Sequence, residues 1–146
     1  MTVQLPSKEI AKRIEEKFPG SVLEPADKYL LVKSDSLCEI AAFLKDAPEL
    51  DFKYLSYITA VDCYDYFEVI YQLMSLEKNH TLVLKTRCYD RENPALTSVY
   101  NLWQGADFQE REIFDLMGIT FQGHPNMKRI LLWDGFRGYP LRKDYL

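Results

Sequence analysis

Soft metal ligands are scarce in this 146-residue sequence, which has three cysteines and two histidines. Cys38, Cys63 and Cys88 form no Cys-x-x-Cys, so neither a zinc ribbon nor the thiolate set of an iron–sulfur cluster can be drawn. Cys-Tyr-Asp occurs at both 63 and 88, but the flanks DYFEVIYQ and RENPALTS share no apolar pattern, which argues against a repeat. Reduced structural thiols are the expected state. A dinucleotide glycine fingerprint, a P-loop, a nucleophile elbow and an HExxH pair are also missing, which weighs against a free-standing enzyme. No uninterrupted apolar run approaches the roughly 20 residues needed to span a bilayer. The opening MTVQLPSKEIAKRIEEKF lacks the cationic start and apolar block of a signal peptide. A cytoplasmic location with only indirect membrane association is expected. Nor is there a basic excess: the net charge is −4, and nonspecific nucleic-acid binding needs a basic footprint.

What is present suits one domain, 1–146, with 47% hydrophobic residues for a core and ten tyrosines whose amphipathic rings fit half-buried strands and protein interfaces. Charge is unevenly placed. Residues 124–146 carry five basic side chains against two acidic ones, a net of +3, which leaves −7 on the rest. A basic tail on an acidic body can seek an acidic partner surface.

The pattern predicts an α+β fold. Ser7 is placed to cap a helix carrying Ile10, Ala11, Ile14 and Phe18 on one face until Pro19-Gly20. Residues 22–24 and 29–33 read as a short strand pair. Ser34 or Ser36 is placed to cap a second helix with Leu37, Ile40, Ala41 and Leu44 inward, ending before Pro48. Residues 52–61, 67–76 and 80–87 are β-branched and aromatic, with a hairpin break at Glu77-Lys78-Asn79. In the last of these, His80, Leu82, Leu84 and Thr86 alternate with Thr81, Val83, Lys85 and Arg87. One face is wetter. The architecture expected is an antiparallel or mixed sheet covered on one side by the N-terminal helices, with a helical and irregular C-terminal segment. Thr97 or Ser98 is placed to cap a short helix through Trp103, stopped by Gly105. Asp107 and Glu110 have capping-box spacing for another that Gly118 closes, with Arg111 and Asp115 as i,i+4 neighbours able to pair.

Glu110, Glu112, Asp115 and His124 are the residues from which a metal or acid–base site would be drawn. Glu110 and Glu112, two apart on a helix, point in different directions, and a solvated or paired charged face is the expected reading. His124 precedes Pro125, which holds it extended just after Gly123. Pinning of the loop through a carboxylate is expected over proton transfer. Residues 134–146 interleave Phe136, Tyr139, Leu141 and Tyr145 with Arg137, Arg142 and Lys143, the composition of interface anchors. A partner-docking tail and a tail folded back on its own domain both remain open.

The stretch GADFQEREIFDLMGITFQGHPNMKRILL and the ending GYPLRKDYL resemble the C-subunit family of respiratory complex I, the proton-pumping NADH:quinone oxidoreductase. Glu110, Arg111, Glu112, Asp115, Gly118, His124, Pro125, Arg129, Arg142, Lys143 and Asp144 match the motif positions, whereas Phe108 stands where relatives commonly have tryptophan. The resemblance implies a noncatalytic peripheral-arm subunit that sits beside a D-like neighbour forming the quinone site, and that supports electron transfer to quinone and coupled proton translocation. It implies no cofactor in this chain. Iron–sulfur clusters, flavin and quinone are expected in the partners and in the other peripheral-arm subunits. Related membrane-bound hydrogenases, ferredoxin-linked dehydrogenases and the photosynthetic complex-I-like enzyme have similar subunits and are the alternative assemblies.

Overall fold

A computed structural model describes residues 2–145 and is built around one mixed sheet. In chain order the elements are β1 (Val3–Gln4), α1 (Ser7–Lys17), β2 (Val22–Pro25), β3 (Leu30–Val32), a 3-10 turn (Ser34–Ser36), α2 (Leu37–Asp46), β4 (Tyr54–Asp62), β5 (Phe67–Ser75), β6 (His80–Cys88), β7 (Ala95–Thr97), α3 (Ala106–Met117) and β8 (Thr120–Gln122). The main sheet runs β2-β3-β6-β5-β4, and β1 also pairs with β6. The meander β4-β5-β6 is antiparallel, while β3 and β1 lie parallel to β6.

Period-2 alternation sets which face is core. Along β5, Phe67, Val69, Tyr71, Leu73 and Ser75 are buried, and along β6 so are His80, Leu82, Leu84, Thr86 and Cys88. Against this face α1 lays Ile10, Ala11 and Ile14, and α2 lays Leu37, Ile40, Ala41 and Leu44. Each helix supplies an apolar stripe at 3.6-residue spacing, so one layer of helices on one sheet face satisfies both partners. The expected α+β architecture is the one found, and the sheet is mixed.

The C-terminal third is a β–α–β unit. β7 and β8 pair in parallel with α3 as the crossover between them, because parallel strands cannot be joined by a tight turn. α3 packs at the β4 side of the sheet, and Ile113 and Met117 complete the core there with Val99, Trp103 and Phe121.

Several local expectations are corrected. Ser7 is the first helical residue and not the cap: Pro6 holds the N-cap position, and the buried Ser7 hydroxyl has no hydrogen-bond partner among the described residues. Ser36 holds the N-cap position of α2 as expected, but it makes no side-chain cap bond among the described residues, since the 3-10 turn leads straight into the helix. Residues 98–103 form a turn and no helix. The Ser98 Oγ accepts the Tyr100 amide and donates to Glu110, so the chain is bent by side-chain bonding before a helical turn can propagate. Gly105 is the N-cap of α3, and Asp107 and Glu110 make no capping box. Gly118 is the left-handed C-cap as expected, with φ of 79°.

Candidate functional site

Two buried carboxylates organise the charged C-terminal motif. The first is Asp115 on α3. Its Oδ1 accepts from Arg129 Nη1 at 2.8 Å, and its Oδ2 accepts the successive amides of Ile130, Leu131 and Leu132 at 3.2, 2.7 and 2.9 Å. Arg129 continues outward, donating to the carbonyls of Phe136 and Gly138 at 3.1 and 3.0 Å. Burial opposes ionisation of Asp115, but the Arg129 guanidinium and the three amides outweigh it and hold the carboxyl below its ordinary range. The expected Arg111–Asp115 pair is therefore corrected. Arg111 instead donates to the carbonyls of Lys128 and Arg129, so both charges of the helix clamp the same loop.

The second is Asp62, at the end of β4. It accepts both terminal nitrogens of Arg91 at 2.7 and 2.9 Å and the amides of Tyr64 and Lys143 at 2.9 and 2.8 Å. The bidentate Arg91 bond is the main reason its carboxyl sits far below the ordinary range. Asp144 reaches Arg91 at 3.5 Å. Between these hubs Arg142 donates from Nε to the Met117 carbonyl at 2.7 Å and from Nη1 to the Arg91 carbonyl at 3.1 Å. Tyr139 lies between two guanidiniums, its ring centre 5.0 Å from Arg129 and 4.9 Å from Arg142. A Cβ on Gly118 would approach Arg142 and Tyr139 to 2.6 and 2.7 Å, so this position needs glycine twice over, for space and for its positive φ.

The remaining motif residues have distinct roles. Glu110 is fully buried, accepting from the Ser98 hydroxyl at 2.5 Å and from the Val99 amide at 3.0 Å. Burial raises its carboxyl above the ordinary range despite those bonds and the nearby His124. Glu112 is exposed, beside a cleft of 110 Å³ between α3 and β4. His124 has a buried ring whose Nδ1 accepts the Asn126 amide at 2.9 Å, which leaves Nε2 to carry the proton and donate to the Asp107 main-chain carbonyl at 3.1 Å, with the Asp107 carboxylate 3.0 Å away. The loop is pinned, though through a main-chain carbonyl and not the carboxylate expected, and both ring nitrogens are occupied. Pro125 and the side chain of Lys143 face solvent, with the Lys143 ammonium 5.5 Å from the Tyr64 ring centre.

Among the described residues no group of three or more His, Cys, Asp or Glu side chains is placed to hold a metal ion, and no helix is long and apolar enough to cross a membrane. The cysteines are free, and burial pushes the Cys88 thiol up to about 11. Sequence reasoning missed Asp62, Arg91 and Ser98. Nothing in the spacing of an aspartate at a strand end and an arginine 29 residues on announces their meeting.

Glu110 gives a pH prediction. A raised folded-state value means that its contribution to stability is present below the unfolded carboxyl value and is lost as pH rises through the folded one. The Glu110→Gln variant, which keeps an acceptor for Val99, is expected to gain stability relative to the parent as pH is taken from about 4 towards neutrality. Urea unfolding across that range checks it. A constant difference at every pH would mean that Glu110 ionises without cost.

An α+β domain of this kind occurs in a respiratory assembly. The chain superposes with a TM-score of 0.75 on a chain in the structure of the membrane-bound sulfane sulfur reductase, described as an archaeal respiratory membrane complex, with 28% identity over 94% of this chain and 84% of that one. The family model described as "Respiratory-chain NADH dehydrogenase, 30 Kd subunit" matches residues 30–146, and the chain belongs to that family. Its relatives include the C subunit of NADH-quinone oxidoreductase from Roseiflexus sp. (strain RS-1), 37% identical over 92% of this chain and 81% of the relative. Another is the C 2 subunit of NADH-quinone oxidoreductase from Rhizobium meliloti (strain 1021), 40% identical over 78% of this chain and 63% of the relative.

Proposed function

We propose that this chain is a noncatalytic peripheral-arm subunit of an NADH:quinone oxidoreductase-type complex. It docks beside the quinone-site neighbour and supports electron transfer to quinone and coupled proton translocation by holding its partners in place. Flavin, iron–sulfur clusters and quinone belong to the partners in this reading, and Glu110, Asp115 and His124 serve structure. The observation that carries it lies in the C-terminal segment. Asp115 and Asp62 hold this segment rigid from inside while Leu131, Trp133 and Leu141 stand 63%, 69% and 60% exposed. Large apolar side chains on a pre-ordered backbone bind without a large ordering cost, which is the arrangement of an interface anchor. Residues 134–146 fold back on the domain, with Phe136 and Tyr139 half-buried against Arg129, and in this reading they also present Leu141 for docking, although Leu146 lies outside the described residues.

The likeness to the sulfane sulfur reductase chain supports a second reading, the equivalent component of a related membrane-bound hydrogenase or ferredoxin-linked dehydrogenase. Affinity purification of the tagged chain from gently solubilised native membranes, with identification of every partner, tests both. Co-migration with a quinone-site partner and cluster-bearing partners is expected, and the electron-input subunits found with them separate the two readings. A chain recovered alone, with a stoichiometric metal or a redox activity of its own, would contradict the proposal.

A further inference from the structure

The sheet face opposite the helices carries a pattern that the C-terminal motif does not explain. Its residues fall in cross-strand rows over β4, β5 and β6: Tyr54, Met74 and Thr81; Tyr57, Gln72 and Val83; Thr59, Ile70 and Lys85; Val61, Glu68 and Arg87. The first two rows hold no charge. Tyr54 and Tyr57 are 51% and 45% exposed, and Met74, Gln72 and Val83 are half-buried with no helix over them. The charges collect at the other end, where Glu68 lies 3.3 Å from Lys85 and 3.1 Å from Arg87 and offsets one of the two cations.

Two observations say what kind of partner fits. First, these rows stand on the antiparallel meander β4-β5-β6, whose outer face would be polar if it were turned to water, yet over the first two rows it carries tyrosine, methionine and valine and no charge. Tyrosine and methionine with charge excluded from the centre is also interface composition. Second, three nine-residue strands at about 4.8 Å spacing and about 3.3 Å rise present only about 400 Å² of face. Two copies packed face to face would bury roughly 800 Å² in total, short of the roughly 1,200 Å² at which stable dimers begin. The occupant is therefore a partner that also holds this chain elsewhere, and its contacting surface carries no charge to strand against Tyr57 and Val83.

We infer that the uncharged half of this sheet face, centred on Tyr57, Gln72 and Met74, is a second docking surface, covered by an apolar uncharged face of a neighbouring subunit. The inference rests on the assembly reading above but concerns a different surface. The test uses the full-length chain carrying Tyr57→Cys, alone and in the purified native complex, with maleimide labelling at that position read by mass spectrometry. Labelling at least about tenfold slower in the complex is expected, with ready labelling of the isolated chain. A paired Tyr57→Lys/Gln72→Lys variant should melt within a few degrees of the parent but enter the complex at least about tenfold less well. Equal labelling in both states, or normal assembly of the double variant, overturns the inference and leaves the C-terminal docking reading standing. Protection already present in the isolated chain through self-association assigns the face to a second copy and also overturns it. A chain that enters no complex overturns both readings.

Discussion

Replacing Asp115 by alanine is expected to cost about 3–5 kcal/mol of stability, the range for removing one partner of a buried, hydrogen-bonded ion pair. The loss is more than one salt bridge. Arg129 is left largely buried without its anion, and the amides of Ile130, Leu131 and Leu132 lose a shared acceptor. With domain stabilities of about 5–15 kcal/mol, this moves the protein a large part of the way to unfolding. Urea unfolding by circular dichroism measures the total, and hydrogen exchange at residues 130–132 shows whether the loop is released first. The pH dependence follows in sign: the depressed carboxyl contributes stability that is present above its unfolded value and is lost as pH falls through its folded one. Parent and Asp115→Ala stabilities should therefore converge in acid. An unchanged stability, or a gap independent of pH, would remove Asp115 from its position as organiser of the loop.

Ending the chain after Trp133 is the second large perturbation. It deletes the Phe136 and Gly138 carbonyls that receive Arg129, the two bonds of Arg142, the Leu141 amide bond to the Leu116 carbonyl, and the Lys143 amide on Asp62. At about 1 kcal/mol net for each such bond, the loss is on the order of 4–6 kcal/mol. The buried core nevertheless ends at Phe121, so the sheet with α1 and α2 keeps its apolar packing and the truncated domain should still unfold cooperatively. Its melting temperature should fall by about 10 °C or more. Entry into the complex should fall by a factor of about ten or more, since the exposed Leu141 is deleted and Leu131 and Trp133 are left on a loop that Arg129 no longer ties to the Phe136 and Gly138 carbonyls. A melting temperature equal to the parent's would show that the segment contributes nothing to its own domain. Normal assembly would show that it contributes nothing to an interface.

Much of the fold was legible in local pattern. The alternation from His80 to Arg87 sorted core from outer face residue by residue, because a strand's side-chain period is geometric and one face had to be buried. The stripes of Ile10, Ala11 and Ile14 and of Leu37, Ile40, Ala41 and Leu44 did the same for two helices, and Gly118 marked the left-handed end of the third. The strength of the C-terminal motif pointed to the family. Other features were decided only by tertiary structure. Helical spacing put Arg111 within reach of Asp115, yet an exposed i,i+4 pair is worth a few tenths of a kcal/mol, and burial of Asp115 against Arg129 and three loop amides easily outcompetes it. In the same way Ser98 turned from helix cap to partner of the buried Glu110. The pairing of Asp62 with Arg91 and the Lys143 amide joins residues up to 81 apart along the chain, and β1, β7 and β8 are too short to show a period. Sequence determines short-range periodicity and turn chemistry, where the geometry is set by neighbouring residues. Which buried polar group meets which partner depends on the folded chain, because only the packed core removes water and makes an unsatisfied charge or amide costly.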